Sequence, residues 1–91
     1  MTEPRLLVLP ADCSLRTIRS LHGEISSALE DSADLILDGA GIERADVTFV
    51  QVVVSTLATA GRRAGQVTLA NMPAAVEAAF RRAGVAVPGV A

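Results

Sequence analysis

The chain has 91 residues, which allows one domain and one modest core. Hydrophobic residues make up 51% and charged residues 20%, which excludes a disordered chain. The net charge is −2, and Phe49 and Phe80 are the only aromatic residues, so there is no basic stripe and no set of rings for stacking bases. No nucleic-acid partner is expected.

Arg5-Leu6-Leu7-Val8-Leu9 is a continuous apolar run ended by Pro10, which suits a buried strand. Asp12 or Ser14 can cap the element that follows. Leu15, Ile18, Leu21 or His22, Ile25 and Leu29 recur at spacings of three and four, with Arg16, Arg19, Glu24 and Ser27 between them. This pattern predicts an amphipathic helix of about four turns. Asp34 to Asp38 reads as a second buried strand, followed by Gly39 and Gly41.

The stretch after Asp46 carries two patterns. Its β-branched residues favour a strand, whereas Val50, Val53, Val54, Leu57, Ala58 and Gly61 mark one face of a helix. Its length to Arg63 tips the reading to a helix, with Thr48 as N-cap and Arg62, Arg63 and Gly65 at the far end. Gln66 to Ala70 is a third strand. Asn71 and Pro73 open a last helix with Val76, Ala79, Phe80 and Ala83 on one face, and Gly84 lies just past its end. Residues 85–91 read as extended or frayed. Strand and helix alternate three times with short connections. This predicts a single small α/β domain over residues 1–91, its core about 5–85, with a mixed or parallel sheet and helices mainly on one face.

A lone Cys13 forms no internal disulfide, and Cys13 with His22 makes no zinc site. No metal and no cofactor are expected. No run approaches the ~18 apolar residues of a membrane helix, and Leu6 to Leu9 is too short for a signal peptide, so a cytoplasmic protein without membrane insertion is expected. Gly39-Ala40-Gly41 lacks the third glycine of a dinucleotide fingerprint, because Arg44 stands there, and it reads as a loop. Cys13 and His22 lie nine residues apart, about 13 Å along one helix, too far for a nucleophile and its base. Asp12, Asp38 and Asp46 flank strand ends and can gather at one acidic edge, but capping and turns account for Asp12 and Asp46 without catalysis. No catalytic residue is expected.

At the start of the second helix, Phe49, Val52 and Thr56 flank the predicted core face. Two readings stay open there: an exposed Phe49 and Val52 form a docking surface, or Phe49 covers the sheet edge.

Leu35-Ile36-Leu37-Asp38, an eight-residue step to Asp46, and a small or apolar helix start together resemble the central motif of STAS domains, the anti-sigma-factor antagonist fold. In that family the strand ends in Asp or Asn and the helix begins Asp-Ser/Thr-small-Gly-Leu. Gly65 to Leu69 followed by Pro73, Val76, Phe80 and Ala83-Gly84-Val85 is similar to the family's last strand and helix, and Leu7-x-x-Pro10-Ala11-Asp12 to its first strand. The family's leading strand and C-terminal helix have no counterpart in this pattern.

The resemblance implies a non-catalytic interaction module. The leading reading is an adaptor in bacterial signalling that docks an anti-sigma-factor kinase or a chemotaxis protein, and Gln51 fits the short form encoded beside chemotaxis genes; the alternative is a small subunit on a transporter ATPase. The resemblance also implies a partner surface of Asp46, Val47, Thr48, Phe49 and Val52 along the loop 39–48 and the helix start. Phe49→Asp is then expected to abolish capture of a partner and spare the fold. The family's phosphoacceptor position is Val47 here and its glycine is Phe49. Thr48 is the nearest hydroxyl, and it is expected to be a structural cap, with the phosphorylation switch absent or much reduced.

Overall fold

The computed structural model describes residues 4–32 and 34–87. Strand β1 (Arg5–Val8) is followed by a two-residue strand β2 (Asp12–Cys13) and helix α1 (Ile18–Asp31). Then come β3 (Asp34–Asp38), a second short strand β4 (Arg44–Ala45), α2 (Val47–Arg62), β5 (Gln66–Ala70) and α3 (Ala74–Ala83). The main sheet is three-stranded in the order β1-β3-β5, and both its pairings are parallel. β2 and β4 form a small parallel ribbon of their own, Asp12 opposite Arg44 and Cys13 opposite Ala45.

The register puts Leu7, Leu37 and Leu69 in one row across the sheet, and Leu6, Ile36 and Thr68 in the next. Side chains alternate between faces along a strand. The first row packs into the core, with Leu35 and Val67 beside it. The second row lies on the opposite face, where Leu6 and Thr68 are exposed. Right-handed crossovers between neighbouring parallel strands put successive helices on the same face, and α1 packs on β1 and β3 while α2 packs on β5. The core on that face is aliphatic around two fully buried rings, Phe49 and Phe80.

Two helix starts differ from the sequence expectation. α1 begins at Ile18, with Thr17 as its N-cap, so neither Asp12 nor Ser14 caps it. The ribbon claims Asp12 and Cys13, and a turn closed by the Thr17 N–H on the Ser14 carbonyl (3.0 Å) separates ribbon from helix. Leu15 is therefore exposed on that turn, and Leu21 rather than His22 faces the core. α2 is capped by Asp46, not Thr48: its carboxylate accepts the Thr48 N–H at 3.0 Å.

The buried face of α2 also differs. Phe49, Val50, Val52, Val53, Thr56 and Ala60 are buried, while Val54 is 44% exposed. A single-sided stripe through Val50, Val53, Val54 and Leu57 suits a helix lying on a sheet alone. α2 instead touches α1, α3 and β5, so its buried arc is wider and turned towards Phe49 and Val52.

The end of α3 forms as its sequence predicts. Gly84 adopts φ 73°, and the Val85 N–H reaches back to the Phe80 carbonyl at 3.0 Å. Residues 85–87 carry no helix or strand, and Val85 and Val87 pack against the core. The extended reading of 88–91 falls outside the described residues.

Candidate functional site

Three aspartates lie in or beside the loops that follow the carboxyl ends of the strands, and two of them, Asp38 and Asp46, tie those loops together. Asp38 ends β3. Its carboxylate accepts the Ala40 N–H at 3.0 Å and the Asn71 side-chain amide at 3.2 Å, joining the loop after β3 to the loop after β5. These bonds, the Ala40 one first, hold the Asp38 carboxyl below its ordinary value. The loop runs close to its neighbour: a Cβ on Gly39 would lie 2.7 Å from the Met72 sulfur, so a larger residue there requires the Met72 side chain to shift.

Asp46 fastens two helices. One carboxylate oxygen accepts the Thr48 N–H and the Thr48 hydroxyl, and the other accepts the Leu15 N–H at 3.0 Å. The Thr48 hydroxyl bond is the main cause that holds the Asp46 carboxyl below its ordinary value, and the backbone bonds add to it. The sequence assigned the Thr48 hydroxyl to a backbone N–H; it donates to the carboxylate instead.

Asp12 stands apart, in the ribbon. One of its carboxylate oxygens is buried without a partner, beside a shallow cleft lined by Ala11, Glu43 and Arg44. Asp38 and Asp46 each bind their own loop, and no hydrogen bond joins the three aspartates to one another. Among the described residues no group of three or more metal-ligating side chains comes together.

Cys13 and His22 are separated by the fold as well as by sequence. Cys13 is buried in the ribbon and its thiol donates to the Pro10 carbonyl at 3.4 Å, while His22 is exposed on α1. Burial, helped by the Asp12 charge, pushes the thiol up to about 11, the opposite of an activated nucleophile.

Of the surface expected for a partner, Asp46, Val47 and Thr48 do lie together at the helix start. Phe49 does not join them, because it is 0% exposed, and Val52 is buried beside it. The two readings of Phe49 resolve in favour of the core. Val47 is 52% exposed, and it opens a groove of about 440 Å³ between α2 and the segment after α3. Val50, Gln51, Val54, Ser55, Ala83 and Val85 complete its walls. A second hollow of about 260 Å³, shared through Val47 and Ala83, adds Asp46 and Arg82 at its rim.

Sequence reasoning missed Val54, Ala83 and Val85 as surface residues. Val47, Gln51 and Val54 stand at i, i+4 and i+7, a helical stripe of its own, and that spacing was the available signal.

A family model described as Mlab, STAS domain matches residues 3–87. The chain belongs to the STAS domain family. No curated protein and no solved structure matches it. STAS domains are protein-interaction modules and are generally non-enzymatic. In STAS terms, the position directly after the helix-capping aspartate is aliphatic, and the next hydroxyl is bonded to that aspartate. No helix among the described residues is long and apolar enough to cross a membrane.

Proposed function

We propose that this STAS domain is a non-catalytic docking subunit that holds a cytoplasmic protein partner continuously, without a phosphorylation switch. The observation that carries the proposal is the start of α2. Asp46, Val47 and Thr48 form a surface fixed by hydrogen bonds, next to an apolar groove floored by Val50 and edged by Val54 and Val85.

Val47 has no oxygen to phosphorylate. A phosphate on Thr48 would bring about −1.5 to −2 charges against the Asp46 carboxylate that its hydroxyl now contacts. A surface of fixed shape and fixed charge suits permanent assembly. This favours a small subunit on a transporter ATPase over a gated adaptor for an anti-sigma-factor kinase or a chemotaxis protein.

Affinity purification from the native host tests both parts. A transporter ATPase is expected with the wild-type chain and not with Val47→Asp/Val54→Asp. Intact-mass spectrometry is expected to show no species heavier by one phosphate. A kinase partner, together with a phosphate mapped to Thr48, would replace this reading with the signalling one.

A further inference from the structure

The seam between α1 and α2 is not closed. A cleft of about 210 Å³ runs along it, and Ser55 alone borders both this cleft and the groove at the α2 start. The floor is Ile25, Leu29 and Thr56, all buried. Above it, His22, Ser26 and Glu30 stand about one turn apart along α1. Ser55, Thr59 and Arg63, the C-cap residue, do the same along α2. Both helices cross between parallel strands on one face of the sheet, so they run in the same direction. The Arg63 guanidinium reaches the Leu29 carbonyl at 3.5 Å, which fixes the register of the two rows. His22 then faces Ser55, Ser26 faces Thr59, and Glu30 faces Arg63.

The cleft stays open because its walls are short: Ser26, Ser55 and Thr59 stand where long aliphatic side chains would close a helix seam. The Thr56 and Thr59 hydroxyls are spent on the Val52 and Ser55 carbonyls of their own helix, at 2.7 and 3.0 Å. The Ser26 and Ser55 hydroxyls have no hydrogen-bond partner among the described residues. At the far end, Glu30 and Arg63 face each other without an ion pair among the described residues. α1 has no base in its last turn, and its other terminal acid, Asp31, is already paired with Arg5. Glu30 and the last carbonyls of α1 therefore make that wall negative. Arg63 makes one long contact, which leaves most of its donors free on the opposite wall.

We propose that this cleft binds a free α-amino acid with a short, polar, uncharged side chain. Glu30 would repel a simple anion, and Arg63 would repel a simple amine. A head group that carries both charges on one carbon satisfies both walls. Its ammonium meets Glu30, and its carboxylate meets Arg63, whose planar fork binds carboxylates in bidentate fashion. The side chain then runs back over the floor towards Ser26 and Ser55, whose hydroxyls both donate and accept. The volume is below the roughly 300–1,000 Å³ of sites for drug-sized ligands, which suits one amino acid and not a peptide.

So small a ligand in an open-mouthed cleft binds weakly, with a Kd of about 0.1–10 mM. The test is a proton–nitrogen NMR titration of the full chain with L-glutamine. Saturating amide shifts are expected within residues 22–30 and 55–63. Two truncated probes check the head group: glutaramate, which lacks the amino group, and 4-aminobutanamide, which lacks the carboxyl group. Each is expected to bind at least about tenfold more weakly than glutamine. Glu30→Gln and Arg63→Gln should each weaken glutamine by a similar factor, and Ser26→Leu should abolish binding by filling the cleft. All three variants are expected to keep the wild-type circular-dichroism spectrum. Thr68→Lys, on the far face of the sheet, should bind like the wild type. No saturating shift with glutamine overturns the proposal. So does a truncated probe that binds as well as glutamine, a shift pattern centred outside the cleft, or full binding by folded Glu30→Gln or Arg63→Gln.

Discussion

α1 starts at Thr17, whose side chain makes no capping bond to the helix, while α2 starts at Asp46, whose carboxylate binds the Thr48 N–H, the Thr48 hydroxyl and the Leu15 N–H. Thr17 instead donates its hydroxyl to the Asp12 carbonyl at 2.7 Å, so α1 is held at its start by the ribbon before it. One helix start borrows its order from its surroundings. The other is locked by a side chain at the point where a partner is proposed to dock. An interaction surface whose backbone is already fixed loses less entropy on binding. The contrast teaches that the proposed docking at α2 rests on a stiff helix start and not on an exposed aromatic ring.

The largest effect is expected where α2 meets the core. Phe49→Ala should cost about 3–5 kcal/mol, read by urea unfolding, because it empties a fully buried ring site. Phe49→Asp should unfold the protein outright, visible by circular dichroism, so it cannot serve as a clean test of docking.

Next comes Asp46→Ala, expected to cost about 1–2 kcal/mol through the lost cap. It should also change the pH response. The folded Asp46 carboxyl lies below its ordinary value of 3.8, so its stabilisation is present above that value. It is lost as the pH falls through the folded value. Denaturant titrations of wild type and variant should therefore converge in acid; a constant gap down to the lowest pH would refute the locked start.

Thr48→Val keeps the backbone cap and removes one hydroxyl bond, so about 0.5–1 kcal/mol is expected. NMR titration should show the Asp46 carboxyl moving back up towards its ordinary value. The smallest effect on stability is expected from Val47→Asp, within about 0.5 kcal/mol by thermal unfolding, since Val47 is exposed and an acid suits a helix N-terminus. The same substitution should remove partner binding. Equal binding by Val47→Asp and wild type would place the docking surface elsewhere.

Much of the fold was legible because each element carried its own local signal. Leu35-Ile36-Leu37 and Val67-Thr68-Leu69 read as strands from their apolar character, and Gly84 marked the end of α3 because only a left-handed residue closes that turn. The ribbon was not legible. Asp12-Cys13 and Arg44-Ala45 are too short to show periodicity, and their pairing spans thirty or so residues of chain. Missing the ribbon displaced the start of α1 and put Leu15 in the core.

At the candidate site, Asp46, Val47 and Thr48 could be placed from the family pattern. Phe49 and Val52 could not, because a helix gripped by α1, α3 and β5 buries more of its circumference than a one-sided moment predicts. The groove walls Ala83 and Val85 come from a distant stretch of chain, and no local pattern ties them to Val47.

Cys13 gives the molecule a built-in clock. It is the single thiol of the chain, it has no exposed surface, and its proton is held up to about 11. A thiol reagent at neutral pH therefore meets almost no thiolate and no path to the sulfur until the Asp12–Cys13 and Arg44–Ala45 ribbon parts. At reagent concentrations where labelling outpaces reclosing, the labelling rate equals the rate of those openings. Because the Leu15 turn that follows the ribbon is tied to Asp46, the same measurement reports on the turn that anchors the start of α2.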